Sequence, residues 1–188
     1  PDSIMSGHTV YERRLLLGRL LAQQWSERGL KCDRVIPVPD TSRPAAMAFA
    51  EHLGVPYREG FIKNRYSGRT FIMPDTFSRD MGLRLKLNPI REEFDHQRVA
   101  IMDDSIVRGS TIGRIVDLVR QQGVSEVHVV IHAPPVLFPC YYGIDMSTPE
   151  ELIARQLYGC APSPGEEEEA RAAVEDALRR RLAVDSVT

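Results

Sequence analysis

Two adjacent carboxylates, Asp103 and Asp104, close the apolar run Val99-Ala100-Ile101-Met102, and after Ser105, Ile106, Val107 and Arg108 comes the small-residue turn Gly109-Ser110-Thr111. The two halves of this segment suit opposite electrostatic work. Amides and hydroxyls at Arg108, Gly109, Ser110 and Thr111, added to a helix end worth about half a positive charge, make a nest for a phosphate monoester, and Gly109 lets the backbone come close to it. Paired carboxylates repel phosphate, but they accept hydrogen bonds from neighbouring sugar hydroxyls and hold a hard magnesium ion, directly or through water. The ligand implied is a sugar phosphate. An Asp-Asp pair after a strand is by itself more often a solvated strand end or a capping pair, and the Gly-Ser-Thr turn behind it tips the reading to a binding site.

Such a site needs a strand ahead of the acids and a helix behind the turn. Residues 99–102 suit a strand buried on both faces; Ile112, Ile115, Val116 and Val119 then hold helical spacing up to Gly123, and residues 126–132 return as a strand. Upstream, Thr9 and Glu12 form a capping-box pattern, and Val10, Leu17, Leu21 and Trp25 line one stripe of a first helix ending near Gly29. Residues 34–38 read as a short strand closed by Pro39, with Ser42 placed to cap a second helix whose apolar positions are Ala46, Phe49, Ala50 and Leu53. Alternating strands and helices predict an α/β fold, a parallel sheet with helices on both faces, whose ligand crevice lies outside the carboxyl ends of the strands at a topological switch point. The loops brought there are residues 39–43 and 103–111. Residues 57–87 differ in kind, being long, rich in Arg and Lys, and punctuated by Gly60, Gly68, Pro74 and Gly82, as functional lids are.

Composition narrows the partners. A net charge of −2 supplies no general attraction to nucleic acid or anionic lipid, so any polyanion site has to be local. No apolar run reaches the roughly 20 residues of a bilayer span, and three cysteines, Cys32, Cys140 and Cys160, form no disulfide framework, so a cytoplasmic protein is expected. Residues 1–160 are expected as one domain. Residues 161–188 read as a linker, a helix with Ala170, Ala173, Ala177 and Leu178 on one face, and the opening of a strand belonging to a further part of a longer chain. The helix carries acids at its start and Arg179, Arg180 and Arg181 at its end, a dipole-matched surface without evident function.

The strand, acid pair, small loop and Gly-Ser-Thr turn resemble the ribose-5-phosphate motif of type I phosphoribosyltransferases. Four stretches in order, residues 35–42, 63–74, 103–110 and 142–154, resemble the amidophosphoribosyltransferases of purine synthesis, which form 5-phosphoribosylamine from phosphoribosyl pyrophosphate (PRPP) and ammonia. The resemblance implies a mobile-lid phosphoribosyltransferase fold and a set of roles. Asp103 and Asp104 hold the ribose hydroxyls and magnesium, with Thr41 joining the metal. Arg108, Gly109, Ser110 and Thr111 cradle the 5-phosphate, Ser105 and Val107 also bind PRPP, and Asp40, Thr41, Ser42 and Arg43 take pyrophosphate. Lys63 and Arg65 act at the phosphates with Arg69, while Tyr66, Ile72 and Lys86 belong to the lid and the ammonia path.

The resemblance also implies a glutamine-hydrolysing domain ahead of the matched region, a homo-oligomer, and purine nucleotides as inhibitors. No cysteine here sits where that domain's nucleophile would, so the chain by itself is expected to use free ammonia. Clustered members hold a [4Fe-4S] centre through four cysteines; Cys140 resembles one ligand position, and one cysteine cannot complete the cluster. His128 and His132 on one strand face read as satisfied structural histidines. Two other functions share these motifs: a regulator that senses PRPP or purine nucleotides without turnover, and a nucleobase salvage transferase, which needs an aromatic base-stacking hood that the sequence does not display.

Overall fold

The structure is a computed structural model that describes residues 2–64, 87–140, 149–158, 165 and 167–188. A short hairpin, β1 (Ile4–Met5) with β2 (His8–Thr9), leads into α1 (Val10–Glu27); then follow β3 (Arg34–Pro37), α2 (Arg43–Leu53), β4 (Phe61–Lys63) and β5 (Leu87–Pro89). The second half runs β6 (Arg98–Asp103), α3 (Ser110–Arg120), β7 (Glu126–Ile131), α4 (Ile153–Tyr158), α5 (Glu167–Leu182) and β8 (Ser186–Val187). β3, β6, β7 and β8 form one parallel sheet in that order, and β4 pairs antiparallel with β5 as a separate ribbon. The parallel α/β architecture expected from the sequence is the one observed.

Side chains of the central strands alternate between two cores, as the period of two requires. Val99 and Ile101 of β6, with Val127 and Val129 of β7, pack with Ile112, Ile115, Val116 and Val119 of α3 and Val174, Leu178 and Leu182 of α5. Ala100 and Met102 face the other way, onto Trp25 of α1 and Ala45, Ala46 and Phe49 of α2. Helices cover both faces. Because α2 leaves β3 toward one face and α3 leaves β6 toward the other, the carboxyl ends of these neighbouring strands open a crevice between their loops.

Helix α1 starts where expected, with the Thr9 hydroxyl accepting from the Glu12 amide and the Glu12 carboxylate accepting from the Thr9 amide. Its inward face differs from the expected stripe. Gly18, Ala22 and Trp25 are buried, whereas Leu17 and Leu20 remain 37% and 48% exposed. The reason is the closeness of α2: a Cβ on Gly18 would lie 2.2 Å from the Ala45 carbonyl oxygen, so a small residue, not a leucine, sits at the crossing. In α5 the inward face is Ala170, Val174, Leu178 and Leu182, with Ala173 exposed, and its helix and the strand behind it complete the sheet beside β7.

The described histidines of β7 and its exit part company. His128 is buried with Nδ1 2.8 Å from the Ser186 hydroxyl and Nε2 3.2 Å from Glu126, and it packs edge-on to Trp25. The expectation of a satisfied structural histidine holds there. His132 departs from it, since its buried Nε2 has no hydrogen-bond partner; burial is also the main reason its pKa is lowered.

Candidate functional site

The loop after β6 is fixed from both sides. The Val38 amide donates to the Met102 carbonyl, and the Ala133 amide donates to the Asp104 carbonyl, so the acids stand on backbone laddered to β3 and to the exit of β7. Asp103 is half-buried at the strand end, where its carboxylate accepts from the Asp104 amide at 2.8 Å. Burial, reinforced by the neighbouring charge of Asp104, pushes its pKa up to about 7. Asp104 is the more engaged acid: its Oδ1 accepts from the Ser105 hydroxyl at 2.8 Å and its Oδ2 from the Thr41 hydroxyl at 2.5 Å. That last bond crosses from the loop after β3 to the loop after β6.

At the other end of the loop, Gly109 caps α3 in the left-handed conformation, φ 77°, without a side-chain cap. A Cβ there would meet Ile153 Cδ1 at 2.4 Å, so the position demands glycine on two counts. Ser110 and Thr111 are exposed in the first turn of α3, whose amides have no intrahelical acceptor and stand available to an anion. The Arg108 guanidinium is drawn aside by Glu151, with Nη2 at 2.7 Å, and the Val107 carbonyl accepts from the Ile153 amide. These two contacts leave the cradle to backbone amides and hydroxyls, with Arg108 contributing its amide rather than its charge.

The loop after β3 is built from charged side chains. Asp40 accepts from Arg43 Nη1 at 2.7 Å and from Lys63 Nζ at 2.5 Å. Arg43 is in turn gripped by Glu59, Nε to Oε1 at 2.9 Å and Nη2 to Oε2 at 3.0 Å, and the Tyr57 hydroxyl donates to Glu59 Oε1 at 2.5 Å. Burial pushes the Glu59 carboxyl up, yet the bonds from Arg43 and Tyr57 outweigh it and the net shift is downward. Glu59 and Tyr57 arrive because residues 56–58 run along the free edge of β3, the Val35 amide donating to Pro56 and the Arg58 amide to Val35. Sequence reasoning did not single them out.

Thus one cluster holds Asp40, Arg43 and Lys63, another holds Asp103, Asp104 and Ser105, and Thr41 joins the second from the loop of the first. Ser42 stands apart: it is fully buried, makes no helix cap, and its hydroxyl donates back to the Val38 carbonyl, so it presents no group to a ligand here. Arg65, Tyr66, Arg69, Ile72 and Lys86 lie outside the described residues, between β4 and β5.

Two cofactors can be tested against these donors. Among the described residues there is no group of three or more His, Cys, Asp or Glu side chains able to enclose a metal. Two adjacent carboxylates with the Thr41 hydroxyl nevertheless fit magnesium, which keeps several waters and is shared with ligand phosphates rather than caged by protein. The described residues do not fit an iron–sulfur cluster. Cys32 is buried in the α1–α2 core, its thiol pushed up to about 11 by burial, and Cys140 has no companion cysteine among the described residues.

The phosphoribosyl transferase domain family matches residues 9–134, which takes in both loops and strands β3, β6 and β7 of the sheet. The chain belongs to that family. Amidophosphoribosyltransferases of Bacillus subtilis and Methanothermobacter thermautotrophicus are 51% and 49% identical over 82% of the chain, which spans 32% of each of those relatives, about a third of their length. The glutamine PRPP amidotransferase of B. subtilis, solved with ADP and GMP, superposes over 100% of the chain and 37% of its own, with a TM-score of 0.75 and 43% identity. A second structure, described as the allosteric regulatory enzyme of purine biosynthesis, gives 0.76 and 44% over 100% of the chain and 36% of its own. The resemblance to amidophosphoribosyltransferases carried by the four motifs is borne out, and so is the type I phosphoribosyltransferase fold. Among the described residues no helix is long and apolar enough to cross a membrane.

Proposed function

We propose that this chain is the phosphoribosyltransferase part of an amidophosphoribosyltransferase, forming 5-phosphoribosylamine and pyrophosphate from PRPP and ammonia. The observation that carries the reading is the Thr41 hydroxyl on Asp104, at 2.5 Å, because it sets a pyrophosphate-type loop against a ribose-type acid pair at the switch point. In this reading the first-turn amides of α3 hold the 5-phosphate, and Asp103 and Asp104 accept from the ribose hydroxyls. Arg43 and Lys63 meet the pyrophosphate. The anomeric carbon then gains cation-like character as its bond to the pyrophosphate oxygen breaks, and negative charge grows on the leaving group beside the two cations. Magnesium, when bound at Asp104 and Thr41, adds further neutralisation of that charge.

Neutral ammonia is already a nucleophile, so the carbon–nitrogen bond forms without a dedicated base and the extra proton leaves with the pyrophosphate. The acids therefore position the sugar. What the site has to do beyond that is exclude water. The full-length protein supplies ammonia from a glutaminase domain, works in the cytoplasm as a homo-oligomer, and takes purine nucleotides as inhibitors. The B. subtilis relative is complexed with ADP and GMP, which supports purine nucleotides as ligands.

The deciding assay offers PRPP, magnesium and ammonium at alkaline pH and follows pyrophosphate. Release by the wild type and little by Asp103→Asn with Asp104→Asn is expected. Equal rates would remove the acids from the mechanism, and PRPP binding without release would turn the reading to a sensor.

A further inference from the structure

Glu59 touches no reacting group, yet it governs the posture of one that does. It faces Arg43 with both oxygens, the fork-to-fork geometry that fixes a guanidinium in plane as well as in place. Only Nη1 is left to point into the crevice, and there it meets Asp40 at 2.7 Å. Glu59 itself stands on a rigid base: the amide of Arg58 before it donates to Val35 of β3, the carbonyl of Gly60 after it accepts from Ile90, and the Tyr57 hydroxyl holds one of its oxygens.

Asp40 has a different place in the network. One of its oxygens lies on Arg43 and the other on Lys63, so a single carboxylate bridges the two cations that a pyrophosphate would bridge. Asp40 and Glu59 together balance Arg43 and Lys63, and an Asp40 that stayed in position would repel an arriving polyanion. Its side chain is 42% exposed, and ion pairs so placed are weak enough to be exchanged for a more highly charged partner.

We propose that Glu59 is a positioning residue that aims Arg43 at the pyrophosphate group, and that Asp40 is an internal counter-ion which pyrophosphate displaces from Arg43 and Lys63. This rests on the reading of the crevice as a PRPP site and adds to it which carboxylate must let go and which must hold. Arg43 keeps its grip on Glu59 throughout, so the guanidinium is presented before the ligand arrives, and its ordering cost is met in the free protein.

Calorimetric titration of the protein with inorganic pyrophosphate and magnesium tests both halves. Glu59→Gln is expected to weaken binding about 5- to 10-fold, the size of coupling found between contacting groups, and to have no further effect in an Arg43→Ala background. Asp40→Asn is expected to tighten binding about 2- to 5-fold, the value of an exposed competing pair. A gain of affinity cannot come from misfolding, so this arm stands even where Glu59→Gln unfolds. An equal loss from Glu59→Gln with and without Arg43, or weaker binding by Asp40→Asn, overturns the proposal while leaving the functional reading intact. A wild type that takes up no pyrophosphate overturns both.

Discussion

The two loops that meet in the crevice hold their charges in opposite ways. After β6 the candidate anion cradle is made of backbone: a left-handed Gly109, the first turn of α3, and acids whose carbonyls are laddered to the β7 exit. After β3 the site is made of side chains, Asp40, Arg43 and Lys63 in half-exposed ion pairs with Glu59 behind them. Backbone amides cannot be withdrawn, so the first loop suits the part of a ligand that stays through the reaction. Exchangeable ion pairs suit a group that has to leave. The Thr41–Asp104 bond joins the two loops, as one ligand spanning both requires in the proposed reading.

The largest difference between the loops falls on Asp103, the acid whose burial the first loop enforces. Its pKa is raised to about 7, above the unfolded value near 4, so between those pH values the native state binds the proton that the unfolded chain has lost. Stability from this group therefore falls as pH rises through that window and is lowest above about 7. Asp103→Asn keeps an acceptor for the Asp104 amide and removes the charge. We expect the variant to gain on the wild type by about 3–4 kcal/mol between pH 4 and pH 8 in urea titrations with chelator present. A difference that stays level with pH would mean that the loop does not hold a destabilised acid.

Next in size is Gly109→Ala. Left-handed backbone costs an L-residue about 1–2 kcal/mol and the methyl would press on the buried Ile153, so about 2 kcal/mol of stability and most pyrophosphate release should be lost together. Unchanged release from this variant would show that the cradle is not the close-approach surface described.

Much of this frame was legible in the residues. The apolar run of β6, the helical spacing of Ile112, Ile115, Val116 and Val119, and the Asp-Asp and Gly-Ser-Thr chemistry are local patterns, and they are found where the pattern puts them. Most of the failures come from contacts distant in sequence. Leu17 was expected inward because a stripe of leucines predicts burial, but the approach of α2 at Gly18 selects a small residue and rotates the inward face. Ser42 looked like a cap and a ligand group, and its hydroxyl instead closes onto the Val38 carbonyl. Glu59 and Tyr57 carry no motif. Their role arises only because residues 56–58 lie along the edge of β3, as does the hold of Glu151 on Arg108 from a distant segment.

Thr41→Val probes the junction between the loops. It removes one hydrogen bond to a carboxylate while keeping the shape, a loss of about 1 kcal/mol, so pyrophosphate release should fall roughly 5-fold with little change in melting temperature. A variant as active as wild type would mean that the loops act independently.

The smallest expected effect belongs to the loop after β3 and tests whether its charges serve the fold at all. Lys63→Met removes one of the two cations on Asp40, but the pair is half-exposed, with side chains 32% and 42% accessible, and Arg43 remains on the other oxygen. Water and Arg43 take up the released carboxylate oxygen, so unfolding free energy should change by less than about 0.5 kcal/mol in a urea titration of the ligand-free protein. Pyrophosphate affinity should nevertheless drop, because the ligand loses a charge that Asp40 could spare. Should Lys63→Met instead cost as much stability as Gly109→Ala, the ion pairs would be fastening the loop to the sheet. Asp40 could then not give way to a leaving group, and the two loops would differ in chemistry without differing in duty.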